Sequence, residues 1–259
     1  MQAEPCKAMM KSHPAASCLK PFGFGNITTL YVPRDFLWRL YMELLVVGDE
    51  HGCYHTFTKL INEHWNSGKQ ILVQLGDLMD RGKFSPETIL YAIELQKNNP
   101  EKVYFLKGNH EIEVVVHLEE GNENWLKQCG QETLNQYKRK SLDLVHYISW
   151  LKSLPLYYET DHAFISHAGI SLVAENPFEE SHPESVLWNR GQLKNIGKLQ
   201  IIGHTPCKSD RAEFDSVSNT LNIDTGAYLP KALTAVKIND EGRIDEIILV
   251  PTLSDDVTD

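Results

Sequence analysis

A chain of 259 residues, 42% hydrophobic and 23% charged, can bury a substantial core and has the composition of a soluble globular protein. Its formal net charge of −10 argues against non-specific binding to nucleic acid or anionic membrane, which favour basic surfaces, but leaves room for an anionic substrate held by a few local arginines or metal ions. Five scattered cysteines without a CxxC pair suit a reducing cytosol better than a disulfide framework, so a cytoplasmic location is expected. In chain order, residues 1–41 mix Pro, Cys, Lys and Gly without sustained periodicity and read as an irregular extension or an upstream start. No apolar signal region occupies the first 20 residues. The "GFG" at Gly23–Gly25 is no phosphate loop, because no GK[ST] follows. The apolar stretch Ile27–Val47 carries Pro33, Arg34, Asp35, Arg39 and Glu43, which rule out an easy membrane span.

From Met42 the pattern becomes regular. "MELLVV" reads as a buried strand, "YHTFTKLINEHW" as an amphipathic helix and "QILVQL" as a second strand. "SPETILYAIELQK" opens with a capping-box-like Ser85–Thr88 segment and Pro86 in the first turn, and "KVYFLK" is a third strand. Strand–helix alternation with short loops predicts an α/β sandwich with parallel pairing at its heart. Ile112 to Leu154 is helical by pattern, with Trp125, Leu134, Leu144 and Trp150 as packing residues. After Pro155 the runs "LYYE", "HAFISH", "LQIIGH", "TLNIDT", "LTAVKI" and "EIILV" predict a second, partly antiparallel sheet. The regular fold is expected over residues 42–252, and the acidic tail 253–259 is expected to be disordered.

Chemistry collects where the strands end. Asp49 and His51 follow the first strand in "GDEHG", and Asp77, Asp80 and Arg81 follow the second in "GDLMDRG". Asn109 and His110 follow the third in "GNHE", and His167 and His204 follow two later strands. In open α/β sheets such groups converge outside the carboxyl ends of the strands. Asp49, His51, Asp77, Asn109, His167 and His204 offer oxygen and imidazole nitrogen without thiolate, a set that suits manganese, iron or zinc. His55, His64, His117, His146, His162 and His182 lack ligand context and read as surface or structural histidines, and Cys53 reads as a small buried hydrophobe.

These motifs resemble those of the calcineurin-like metallophosphoesterases, specifically the phosphoprotein-phosphatase family with its GDxHG, GDxxDRG and GNHE signatures, from Met42 to about Val250. "LWNR", "IIGHT" and "NIDTGA" resemble the compact bacterial and phage-type serine/threonine phosphatases. The resemblance implies a four-layer α/β/β/α sandwich of two mixed sheets with a two-metal site at the strand ends. It implies that Asp49 and His51 bind one divalent ion and that Asn109, His167 and His204 bind a second, with Asp77 bridging both. Manganese is the expected ion, with iron or zinc as alternatives, and the pair would activate a bridging hydroxide for in-line attack on phosphorus. Arg81 and Arg190 would clamp the phosphate, His110 would protonate the leaving oxygen and Asp80 would orient His110.

The leading expectation is therefore a serine/threonine protein phosphatase acting on phosphomonoesters of protein or small molecules. The alternative within the family is a symmetrical dinucleoside polyphosphate hydrolase. A non-catalytic binding module would be expected to lack ligands or His110, and all are present. Glu50 departs from the family, which usually has an apolar residue there, and strand alternation predicts that it points away from the ions.

Overall fold

The computed structural model describes residues 42–257. The expected irregular extension and the Gly23–Gly25 segment lie outside the described residues. Two apolar runs, β1 (Glu43–Val47) and β2 (Gln70–Gln74), pair in parallel with Leu45 opposite Leu72. Between them runs α1 (Tyr54–His64), which buries Thr56, Phe57, Leu60 and Ile61 along one stripe. All five residues of β2 are buried, as a parallel strand covered on both faces requires. α2 (Ser85–Asn98) then crosses to β3 (Val103–Phe105), which adds in parallel to β2.

Phe84, rather than Ser85, sits at the start of α2, and no side chain caps it. The Ser85 hydroxyl accepts instead from the Asp80 backbone N–H at 3.0 Å, so the expected capping box is given up to fix the preceding turn. The helical region resolves into α3 (Asn109–Glu120), α4 (Gln131–Arg139) and α5 (Ile148–Ser153), with a π-turn over Leu126–Gly130 and a 3₁₀ turn over Leu144–Tyr147. Trp125, Tyr137, Leu144 and Leu151 carry this region onto the helix-covered face of the first sheet.

β4 (Tyr157–Glu159), β5 (Ala163–Ser166), β6 (Leu199–Ile202), β7 (Glu213–Asp215) and β8 (Thr220–Asn222) form the second sheet in the order β4-β5-β6-β8-β7. The last two strands do not join it, contrary to the sequence expectation. β9 (Ala232–Ile238) pairs antiparallel with β1, and β10 (Ile244–Pro251) pairs with β9, giving the order β10-β9-β1-β2-β3. Strand runs report burial but not which edge a strand joins, and the free edge of β1 takes them.

Alternation sorts the two faces of the first sheet. Leu45, Val47 and Leu72 face the helices, whereas Leu44, Val46, Ile71 and Val73 face the second sheet, where Ile165, Ile201, Leu221 and Ile223 meet them. The two mixed sheets agree with the expected sandwich. The outer face of the second sheet is covered by coil between residues 167 and 198, where Phe164 packs on Ile170 and Val186; no helix forms that layer among the described residues.

Through Val257 the acidic tail is integral to the fold rather than disordered. Asp256 is fully buried, and its carboxylate accepts from the backbone of His55 and Thr56 at 3.0 and 2.7 Å and from the Thr56 hydroxyl at 2.6 Å. Cys53, at the α1 N-cap, offers no capping oxygen, so a carboxylate about 200 residues away satisfies those orphan N–H groups and meets the positive end of the helix. Asp256→Ala is expected to lower unfolding free energy by about 1–3 kcal/mol through the buried donors it strands, read as a lower urea midpoint at unchanged m-value; an unchanged midpoint would show the tail to be dispensable.

Candidate active site

Each strand end delivers side chains to one place, and the turns that do so are tightly wound. His51, Asp77, Asp80, Arg81 and His204 all adopt positive φ, between 47° and 73°. Left-handed backbone at non-glycine residues is strained, and its concentration here marks turns shaped for the side chains they present. Gly76, at φ 97°, passes so close to Gly108 that any Cβ would strike its backbone. Glu111 locks these two turns together: its carboxylate accepts from the N–H groups of Asp77, Leu78 and Gly108 at 2.8, 2.9 and 2.8 Å.

Asp77 lies at the centre. Its Oδ2 stands 3.4 Å from His51 Nε2 and its Oδ1 stands 3.4 Å from His167 Nε2. His167 Nε2 and His204 Nδ1 are 3.1 Å apart, and Asn109 Oδ1 lies 3.0 and 2.9 Å from them. Asp49 Oδ2 accepts from the His204 backbone N–H at 2.8 Å, while Asp49 Oδ1 and His204 Nε2 are buried without a hydrogen-bond partner among the described residues. All six residues named as ligands from the sequence are therefore brought together, each at most 6% exposed.

The atoms facing one another are acceptors. His51 Nδ1 lies 3.0 Å from the Met79 carbonyl, and His167 Nδ1 lies 3.0 Å from that of Leu75. A carbonyl only accepts, so Nδ1 carries the proton in each ring and Nε2 turns a lone pair inward. Burial keeps these rings neutral: it pushes His51 down to about 3 and His204 down to about 2, and it lowers His167. Burial opposes the charge on Asp77, but His110, the imidazole beside it that stays protonated, holds its carboxyl below the ordinary range. Neutral nitrogen lone pairs, an amide oxygen and carboxylates aimed at each other without protons between them need cations. The donor set fits divalent metal ions, and two clusters sharing Asp77 (His51, Asp77 and His110; Asp77, His167 and His204) have ligand atoms close enough to hold them.

His110 stands beside this centre. Its Nδ1 is 2.6 Å from Asp80 Oδ2, which also accepts from Trp125 Nε1 at 2.8 Å, while Thr133 donates its hydroxyl to Asp80 Oδ1. Burial alone would lower the imidazole pKa, but the Asp77 charge and the Asp80 hydrogen bond raise it well above the ordinary value. Arg81 and Arg190 are exposed at the rim. Arg81 Nη2 lies 3.3 Å from His110 Nε2, and Arg190 Nη1 donates to the Thr205 hydroxyl at 2.9 Å.

Several residues here were not singled out in the sequence. Asp224 lies beyond β8, buried, with its carboxyl pushed up to about 6 first by burial, and it is the chief charged neighbour raising Asp49. The strand-end rule that nominated the other ligands also points to it in "NIDT". Trp125, a packing residue by sequence, and Thr133, which carries no sequence signal, both orient Asp80. Tyr228 places its ring 4.5 Å from the Arg81 guanidinium carbon and 5.0 Å from the His51 ring. Such a face holds a guanidinium without consuming its N–H donors. Tyr228→Leu is expected to raise KM for a phosphate ester about three- to tenfold, with Tyr228→Phe near wild type; equal losses in both variants would assign the role to the hydroxyl.

Glu50 is absent from the two ligand clusters but is not solvated. It is fully buried, with Oε2 accepting from Gln74 Nε2 at 2.7 Å. None of the six histidines read as structural joins the clusters, and Cys53 is buried with Sγ 3.3 Å from the Ala227 carbonyl. No helix of the described residues is long and apolar enough to cross a membrane.

Comparison with known proteins adds a family. The profile for calcineurin-like phosphoesterases matches residues 42–228. A bis(5'-nucleosyl)-tetraphosphatase PrpE, designated asymmetrical, from Geobacillus sp. (strain WCH70) is 27% identical over 228 residues, covering 76% of this chain and 90% of its own. Its Oceanobacillus iheyensis counterpart is 25% identical over 250 residues, covering 84% and 97%. Among solved structures, a serine/threonine phosphatase from Saccharomyces cerevisiae with similarity to human phosphatase PP5 superposes with TM-score 0.63 at 17% identity, over 86% of this chain and 91% of that one. A putative diadenosine tetraphosphatase superposes with TM-score 0.56 at 17% identity, over 83% and 95%. At such identities the structural likeness is one of fold.

Proposed function

The chain belongs to the calcineurin-like phosphoesterase family, and from that premise we propose that it is a dimetal-dependent hydrolase of dinucleoside polyphosphates. The observation that carries the hydrolase reading is the convergence of proton-free donors around Asp77 beneath two exposed arginines. Asp49, His51 and Asp77 would hold one ion, and Asp77, Asn109, His167 and His204 the other. Bound there, divalent ions supply Lewis acidity for the phosphoryl oxygens and acidify a water to serve as nucleophile.

The chain's own groups do the rest. Arg81 and Arg190 present planar forks that match phosphate oxygens, and both are exposed at the rim. His110 keeps one proton on Nδ1 for Asp80, which leaves Nε2 as the atom that gives a proton to the departing oxygen. Arg81 can donate to His110 Nε2 only while that nitrogen is unprotonated. The raised pKa of His110 keeps Nε2 protonated, so the Arg81 fork beside it is left to the substrate phosphate.

The substrate assignment departs from the phosphoprotein expected from the sequence. Its support is the PrpE relatives, alignable over nine-tenths or more of their length, against phosphatase neighbours that share only the fold. Those relatives are designated asymmetrical, and the same mode is taken here in place of the symmetrical one.

Chelation is expected to abolish hydrolysis and Mn²⁺ to restore it. With Mn²⁺ supplied, kcat/KM for diadenosine tetraphosphate should exceed that for a phosphoserine peptide at least about tenfold, or about 1.4 kcal/mol of barrier. Chromatography should show a nucleoside triphosphate and a monophosphate; two diphosphates would mean symmetrical cleavage. The opposite substrate order would return the phosphoprotein reading, and full activity without metal would sink both.

A further inference from the structure

A cleft of about 390 Å³ opens between α3, the loop from Asn122 to Gln128 and the coil running from Glu180 to Trp188. Such a volume lies in the range of small-molecule sites. It adjoins the proton-donor side of the active site. Trp125, which lines it, bonds Asp80 at 2.8 Å, and Cys129, next to the lining residue Gln128, has Sγ 3.6 Å from His110 Nδ1. Trp188, which also lines it, stands two residues before Arg190, so the cleft runs from the Asp80 side of the His110 ring to the segment that carries a phosphate-clamping arginine.

We propose that the cleft is a nucleoside subsite that takes the heterocyclic base of the departing nucleotide between Trp188 and the apolar side of α3. This rests on the dinucleotide reading above. Ile112 and Val116, one helical turn apart on α3, line the cleft together with Trp188. The indole is held in place, because its Nε1 donates to the Glu180 carbonyl at 2.8 Å while the Glu180 carboxylate is pinned by Lys107 at 2.8 Å. A preset aromatic plane facing aliphatic side chains is how proteins grip a base removed from its stack. At the edge stand the side-chain amides of Asn124 and Gln128, each carrying donor and acceptor, a pairing that matches the N6 and N7 edge of adenine.

The charges separate base from phosphate. Glu113 lines the cleft and Glu180 is already paired with Lys107, so among the described residues the cleft offers a phosphate chain no free cation, and the chain stays with Arg81 and Arg190. Glu113 Oε1 accepts from Gln128 Nε2 at 3.2 Å, while Glu113 Oε2 is buried without a partner among the described residues. An uncharged ring that brings an N–H donor suits such a wall.

The experiment uses the metal-loaded full chain, with Val116→Phe to fill the cleft and Trp188→Leu to remove its stacking plane. Adenosine, which has no phosphate, is titrated calorimetrically. Wild type should bind it and each variant at least about tenfold more weakly. In parallel, the ratio of kcat/KM on diadenosine tetraphosphate to that on inorganic tripolyphosphate should fall about tenfold or more in each variant. No adenosine binding by wild type, or equal losses on both phosphate substrates, would overturn the assignment. Loss of phosphopeptide turnover in Val116→Phe without adenosine binding by wild type would instead assign the cleft to a peptide. If wild type binds adenosine but does not cleave diadenosine tetraphosphate, the cleft assignment stands and the dinucleotide reading fails.

Discussion

Replacing Asp77 with asparagine should cost at least about 10³-fold in kcat/KM, or about 4 kcal/mol of barrier, more than replacing any single terminal ligand. The carboxylate faces His51 with one oxygen and His167 with the other, both at 3.4 Å, so both halves of the cluster depend on it. An asparagine keeps one oxygen and turns an NH₂ group toward an imidazole lone pair. That amide would satisfy the nitrogen by a hydrogen bond and compete with the cation for it. A second readout follows from electrostatics. Asp77 raises Asp49, Asp224 and Glu111 by repulsion, a load that in the metal-free protein only the protonated His110 beside it offsets in part. Chelated Asp77→Asn should therefore melt no lower than chelated wild type, whereas added Mn²⁺ should raise the melting temperature of wild type alone, since a ligand stabilises only the state that binds it. Near-normal metal content and stabilisation by Mn²⁺ in the variant would remove Asp77 from the bridging position.

The parts of this site legible in the sequence were those whose chemistry is local. A buried run ending in Asp, His or Asn announces a group at a strand end, and the parallel strands carry Asp49, Asp77 and Asn109 to one edge without further information. What escaped was set by the third dimension. That Asp256 caps α1, that Trp125 and Thr133 brace Asp80, and that Tyr228 lies against Arg81 all depend on contacts between segments 45 to about 200 residues apart. The strands β9 and β10 look the same in either sheet, because alternation records burial and not the neighbour. Ser85 shows the reverse case: a strong local preference for capping was overridden by the Asp80 turn, which needed the hydroxyl more. Glu50, which alternation turns away from the ions, is absent from both ligand clusters; what escaped the sequence was its burial against Gln74, again a contact between distant segments.

His110 can be separated from the metal ligands by the chemistry of what departs. It follows Asn109 in the chain, so its loss could act merely by disturbing that ligand. The imidazole is set up as an acid: its Nδ1 proton is committed to Asp80 at 2.6 Å, and Asp80 in turn is fixed by Trp125 and Thr133. When cations occupy the centre they cancel part of the Asp77 influence on this ring, and the Asp80 hydrogen bond remains. A serine alkoxide is a very poor leaving group and needs a proton as the P–O bond breaks, a service typically worth about 10²–10⁴-fold. A nitrophenolate, or the phosphate oxygen released from an anhydride, is already stable near neutral pH and needs little help. His110→Asn should therefore slow phosphoserine hydrolysis by about 10²-fold or more while slowing p-nitrophenyl phosphate and diadenosine tetraphosphate far less, with metal content unchanged. Asp80→Asn should show the same bias more weakly, because the ring keeps its place but loses the charge that favours its protonated form. The measurement is kcat on all three substrates in both variants, with metal quantified in each preparation. Equal losses across the three leaving groups would show that His110 gives no proton and would reassign it to phosphate binding alongside Arg81.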